Sequence, residues 1–431
     1  MSSVSNTNES EFSRMKRVIV SCVAGSALEW YDFAIYGCFA TLIGKLFFPS
    51  GDEFQQIIAS LGAFASGLIA RPIGAIMFGY IGSIFGRKKA LFISIYLMSI
   101  PTAIMGFLPT YEVIGAWAGV ALITIRILQG LALGGGFTAT IVFLYEHSSP
   151  EKKSTYSSWA PFSLVTGFIL GAVVAKSMSW IFDKEQLELI GWRIPFIISF
   201  FGTFIAEYIK KKLDDPKEFV EEQKKEKKDP QSEGLLKNLF QNHWKGVVLI
   251  TFTDTLVACG YFLIAVFFIT YFETVIHLSH DDALTIQTIN MTLFAFFILL
   301  GGWLADRIGK RTQMIIACAS MVLLVYPLFL YIESATFMSA LLGQLGIIFI
   351  FSIYYGPIPA TICSMLPTKV RLMGVSIAHN LAMTVFGAYA PTLAFYLIKQ
   401  TGNPTIPAAL FIVSSVITLI VLLIWEEGKE Y

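Results

Sequence analysis

Four ionisable side chains stand where the sequence is otherwise apolar: Glu29, Asp32, Arg71 and Arg126. Glu29 lies 12 residues past Arg17, about 18 Å along a helix and so near the middle of a hydrocarbon layer about 30 Å thick. Glu29 and Asp32 are three residues apart and share one helix face. A carboxylate at that depth must turn inward, find a partner or take a proton. The chemistry on offer is proton exchange, or the binding of a cationic group. Arg71 and Arg126 lie 14 and 13 residues into later apolar runs. A guanidinium stays charged and presents a planar fork that suits a carboxylate. The expectation is that Arg126 grips a substrate carboxylate and that Arg71, beside Pro72, belongs to a packed structural site.

The elements that must hold these groups are membrane-spanning helices. The 431 residues are 55% apolar and only 14% charged, against about 25% charged in soluble domains. Apolar runs fall at 18–43, 57–81, 89–108, 113–143, 157–180 and 194–209, then at 246–271, 284–305, 313–332, 336–365, 373–398 and 406–425. Each approaches the length of about 20 residues that a span needs. The fold class is therefore an all-α membrane protein with twelve transmembrane helices in two six-helix halves. Its parts are a tail 1–17, a first half 18–209, a linker 210–245, a second half 246–425 and a C-terminal piece 426–431. The first 17 residues are polar and the run after them is too long for a signal h-region, so the first helix is expected to be retained.

With the N-terminus inside, 24 of the 31 lysines and arginines fall in inner segments. Only Lys45, Lys176, Lys184, Arg193 and Lys399 fall outside. That asymmetry puts both termini in the cytoplasm, at a bacterial cytoplasmic (inner) membrane. The interval 210–245, with Lys224, Lys225, Lys227 and Lys228, reads as a solvated linker with some amphipathic helix. Contact with anionic lipid is the alternative reading there.

The net charge of +1 implies no nucleic-acid partner. Five scattered cysteines form no metal spacing and no disulfide framework. Gly134, Gly135 and Gly136 lack the Lys-Ser/Thr of a phosphate loop and suit close helix packing instead. Nothing indicates an enzyme, a cofactor or an obligate protein partner. A small solute, a proton and the lipid bilayer are the expected partners.

The segment from Gly79 to Lys88 recurs 223 residues later as Gly302 to Arg311. The second copy carries Asp306-Arg307 and Gly309-Lys310-Arg311, whereas the first has Ser83-Ile84 before Gly86-Arg87-Lys88. These residues resemble the signature of the major facilitator superfamily. Glu29-Trp30-Tyr31-Asp32-Phe33, Arg71-Pro72-Ile73-Gly74, Gln129-Gly130 and Leu366 through Gly374 are similar to motifs of its metabolite:proton symporter branch. Within that branch the chain, including Gly44 to Pro49, resembles proline/betaine transporters. It departs at Gly136, where the branch has a Glu, and at Ser83 and Ile84, where the superfamily has Asp and a basic residue.

The resemblance implies import of a small zwitterionic osmolyte with a proton by alternating access. An organic acid such as 2-oxoglutarate is the second substrate class, and a non-transporting nutrient sensor the reading from another class. Glu29, Asp32 and Asp254 are the expected proton-coupling residues. Arg126, Arg71, Trp30, Tyr31, Gln129, Tyr355 and Asn380 are the expected substrate contacts. Asp306, Arg307, Gly309 and Arg87 are expected to gate, with Asp306 facing a neighbouring helix N-terminus. His379 reads as a packed hydrogen-bonding residue.

Overall fold

The computed structural model describes residues 11–50, 53–226 and 234–431. It contains twelve helices long and apolar enough to cross a membrane. In chain order they are α1 (Phe12–Phe47), α2 (Ile58–Ile84), α3 (Arg87–Phe107), α4 (Trp117–His147), α5 (Pro150–Ile181), α6 (Lys184–Lys212), α7 (Trp244–Thr274), α8 (His280–Ile308), α9 (Lys310–Ile332), α10 (Phe337–Ser364), α11 (Thr368–Thr401) and α12 (Pro407–Ile424). Most begin or end beyond the apolar runs because polar turns at their ends carry no helix breaker. Asp183 extends α6 backwards: its side chain accepts from the Gln186 N–H in a reciprocal capping box. Between α6 and α7 two short helices, Lys217–Glu226 and Leu235–Asn242, lie over the same face as the start of α1 and the end of α12. That side is called the linker face below.

In the first half, α2 runs along α4, α1 along α5, and α3 packs behind α4. In the second, α9 is flanked by α10 and α12, and α7 by α11 and α12. The halves meet where α2 meets α11 and where α5 meets α8. Two helices of the second half are locally widened. α7 is interrupted at Asp254 and carries a π-turn at Leu263–Phe267, and α11 carries another at Met383–Gly387.

The α2–α4 seam depends on missing side chains. A Cβ on Gly130 would overlap the Gly67 carbonyl, and one on Gly134 would overlap the Arg71 carbonyl. Small residues let backbones approach where lipid gives no hydrophobic drive to associate. The seam also fixes where Arg71 and Arg126 sit relative to each other. Gly130→Val should therefore destabilise the protein by about 1–3 kcal/mol, seen as a lower melting temperature of the detergent-purified chain. Gly62→Val, at a glycine with nothing within 4 Å of a built Cβ, should leave the melt unchanged.

Candidate functional site

The first-half charges divide into a closed pair and an open one. Asp32 is fully buried; its Oδ2 accepts from Arg126 Nη1 at 2.7 Å and its Oδ1 from Gln129 Nε2 at 3.0 Å. Gln129 also donates to Thr102 Oγ1 at 2.6 Å. The Arg126 guanidinium lies 3.9 Å over the Tyr36 ring, and Nη2 donates to Met105 Sδ at 3.1 Å. This cluster is confined to α1, α3 and α4. Removing one member would strand a buried charge.

Arg71 is placed differently. Its Nε donates across the interface to Asn380 Oδ1 at 3.1 Å, and Asn380 Nδ2 donates back to the Gly134 carbonyl at 2.7 Å. The acid acting on Arg71 through space is Glu29. Glu29 is buried to 1% exposure, and its Oε2 has no hydrogen-bond partner among the described residues. A Cβ at Gly136 would overlap the Glu29 carboxyl. The position that holds an acid in the resembling branch is thus emptied, and the carboxyl of Glu29 occupies the space.

Arg71 lines an enclosed cavity between the halves with Trp30, Leu164, Tyr261, Phe262, Tyr355, His379 and Met383. The centres of water-sized spheres fill about 20 Å³ of it, enough for roughly one water. Two donors on its wall, Trp30 Nε1 and Tyr261 Oη, are buried and have no partner among the described residues. The Trp30 and Tyr261 rings face each other across the halves, with centroids 6.4 Å apart.

On the second-half side, His379 Nδ1 lies 2.8 Å from Asp254 Oδ2. Asp254 is fully buried at the break in α7, and its Oδ1 is unpartnered among the described residues. The cavity thus has a guanidinium on its first-half wall and an imidazole on its second-half wall, the latter backed by Asp254.

Below the cavity, Thr138 and Ser376 hydroxyls meet at 2.6 Å across the halves. The linker face is closed by charge. Glu146 takes Arg87 Nε at 3.1 Å and Arg371 Nη1 at 2.9 Å. Arg87 Nη2 also donates to the Thr368 carbonyl at 2.5 Å. Asp306 accepts from the N–H groups of Ser154 at 2.9 Å and Thr155 at 2.7 Å, and from Thr155 Oγ1 at 2.6 Å. It therefore sits at the positive start of α5 in the other half. Arg307 stacks on Trp303 at 3.8 Å. Gly309 and Gly86 turn the chain with φ of 89° and 114°, a region where a Cβ is strained.

Two acids outside the spans are shifted by this surface. Burial lifts the Asp215 carboxyl above its ordinary range, only partly offset by the Lys88 N–H. For Glu218 burial also pushes upward, but Arg371, Thr368 and Lys153 together hold it below the ordinary range. The stabilisation from Glu218 is thus present above that range and lost as pH falls through the lowered value.

Among the sequence-selected residues, Trp30, Arg71 and Tyr355 line the cavity, with Asn380 one bond behind. Arg126, Gln129 and Asp32 form the separate cluster, and the Tyr31 hydroxyl donates to the Pro195 carbonyl at 2.8 Å, towards α6. Glu146 and Glu218 were not singled out by sequence. Glu146 falls three residues beyond the apolar run 113–143, and Glu218 lies in a stretch whose charge density reads as solvated. The available signal for Glu146 was the pair of buried-type cations Arg87 and Arg371, which need an acid.

A family model described as the Major Facilitator Superfamily matches residues 23–391. The chain is 30% identical over 420 residues to a glycine betaine/proline/ectoine/pipecolic acid transporter of Dickeya dadantii, covering 96% of this chain and 84% of the relative. It is 31% identical over 416 residues to the proline/betaine transporter of Escherichia coli K12, covering 94% and 82%. In three dimensions it resembles a proton:xylose symporter bound to 6-bromo-6-deoxy-D-glucose, with a TM-score of 0.78, 17% identity, and coverage of 98% and 97%.

The closed pair makes a stability prediction independent of substrate. Asp32→Ala should destabilise by about 3–5 kcal/mol because Arg126 is left buried without its acid. The double variant Asp32→Ala/Arg126→Met should recover most of that loss. Melting curves of the purified single and double variants check the coupling.

Proposed function

The chain belongs to the major facilitator superfamily, and from that premise we propose that it is a proton-coupled symporter importing a small zwitterionic osmolyte of the proline or betaine kind. The family match and the twelve candidate spans among the described residues support a transporter rather than an enzyme. The observation that carries the substrate class is the cavity wall: one guanidinium, two unpartnered donors and several aromatic faces between the halves. Arg71 suits a solute carboxylate, with Trp30 Nε1–H and Tyr261 O–H as further donors. The faces of Trp30, Tyr261 and Tyr355 suit an ammonium, an attraction worth about 2 kcal/mol when desolvated. The substrates after which the relatives are named, proline and betaine, have this pair of groups.

A dicarboxylate is the second reading, on the strength of two intramembrane arginines. Arg126 is already neutralised by Asp32, which leaves one cation at the cavity and favours the zwitterion.

Coupling follows from competition for Arg71. A solute carboxylate that engages Arg71 takes it from Glu29, a proton relieves the bare carboxylate left on Glu29, and the solute ammonium rests on the aromatic faces, in a region where bare charge is expensive. Asp254 and His379 on the opposite wall are a second place for that proton. The cavity admits no solute at its present size, so loading requires the halves to separate around it, as alternating access does. The excess of Lys and Arg on the linker face supports a cytoplasmic placing of that face and of both termini.

Uptake of labelled proline, betaine and 2-oxoglutarate into proteoliposomes, with and without a protonophore, tests the reading. Proline or betaine should accumulate and the protonophore should abolish accumulation. Arg71→Gln should lower initial uptake about 100-fold, the loss expected from about 3 kcal/mol of charge-assisted bonding. Accumulation of 2-oxoglutarate alone would favour the second reading, and binding without counterflow would favour a sensor.

A further inference from the structure

We propose that Glu218, on the linker helix Lys217–Glu226, supplies the acid that the first-half turn lacks, and acts as a positioning residue for closure of the linker face. The two halves repeat at an offset of 223 residues, which sets Ser83 opposite Asp306. Asp306 reaches from the second half to the start of α5. Its counterpart would reach from the first half to the start of α11. Ser83 does not do so: its hydroxyl receives Arg87 Nη1 at 3.4 Å, within its own half.

Glu218 stands at the start of α11 instead. Its Oε1 accepts from Thr368 Oγ1 at 2.6 Å and from Arg371 Nη1 at 3.0 Å. Pro367, which precedes that helix, offers it no side-chain cap. The charge count points the same way. Arg87 and Arg371 are buried here, and Glu146 is the one buried carboxylate bound to both. Glu218 gives Arg371 a second acid at 3.0 Å, with the exposed Glu430 more distant at 3.9 Å.

The helix that carries Glu218 is fastened to the first half, the half with the missing acid. Asp215 Oδ1 accepts the Lys88 N–H at 2.7 Å, and Lys88 Nζ donates to the Leu213 carbonyl at 2.9 Å. Gln223 Nε2 donates to the Ile84 carbonyl at 2.8 Å, and the Arg87 guanidinium lies 4.3 Å over the Phe219 ring. Glu218 therefore moves with Ser83 and meets the second half only when the linker face is shut. Its bonds must break for that face to open.

Hydrogen–deuterium exchange of the full-length protein in detergent tests this. Glu218→Gln keeps the size and removes the charge. Exchange should rise about fivefold, the effect of losing a partly exposed ion pair worth up to about 1 kcal/mol, in peptides covering 137–146 and 368–376. Peptides at the far ends of α7 and α11 should be unchanged. Adding Ser83→Asp should return the gate peptides to wild-type protection. No rise in the single variant, an equal rise throughout the chain, or no recovery in the double variant would overturn the assignment. The readout needs no substrate, so it stands apart from the transport reading above.

Discussion

A charge held inside a membrane protein must be matched, and the arrangement of this molecule follows from how each one is matched. Arg126 and Asp32 satisfy one another within a single half, with Gln129, Tyr36 and Met105 around them. That cluster can travel through a conformational change intact. Arg71 and Glu29 act on each other through space, and Arg71 spends one bond on Asn380 of the other half. Arg71, which has no acid in contact with it among the described residues, is the arginine that lines the cavity. The same rule, that isolated charge is costly in low dielectric, thus produces a structural pair in one place and a guanidinium on a cavity wall in another.

The linker face obeys the rule with different parts. There the buried cations Arg87 and Arg371 come from opposite halves and share Glu146. Arg87 and Glu146 balance within the first half, whereas Arg371 meets its acids Glu146 and Glu218 only when the halves touch, so the cluster favours one state over another. The closed side and the cavity are joined by contacts of α2 and α4 with α11: Arg71 of α2 bonds Asn380, and Thr138 and Gly134 of α4 bond Ser376 and Asn380.

Fold and site were unequally legible in the sequence. Run lengths, the bias in Lys and Arg, and the 223-residue repeat are one-dimensional quantities, and they are enough to give twelve spans in two halves. Close helix packing at Gly134 to Gly136 was also readable, but not that α2 is the helix that approaches there. Which arginine faces the cavity was not readable. Arg71 and Arg126 lie at almost equal depth, and depth says nothing of azimuth until packing fixes it. Sequence names both Arg126 and Arg71 as substrate contacts, with a packed structural role weighed more heavily for Arg71; in the structure Arg126 pairs with Asp32 and Arg71 lines the cavity. Glu218 was hidden for a related reason: a carboxylate among lysines looks solvated unless the tertiary fold carries it to a buried cation.

The π-turns at Leu263–Phe267 and Met383–Gly387 follow directly after the cavity residues Phe262 and coincide with Met383. Each inserts one surplus residue into the i→i−4 ladder, a dislocation in an otherwise regular lattice. Such dislocations let a rod flex locally while its remainder stays straight. α2 and α4, whose backbones are welded at the glycine seam, carry no π-turn among the described residues, although α2 contains Pro72 and α6 of the first half has a π-turn of its own at Leu187–Gly191. The dislocations that border the cavity therefore belong to α7 and α11, and they face a first-half wall held at fixed spacing by glycines.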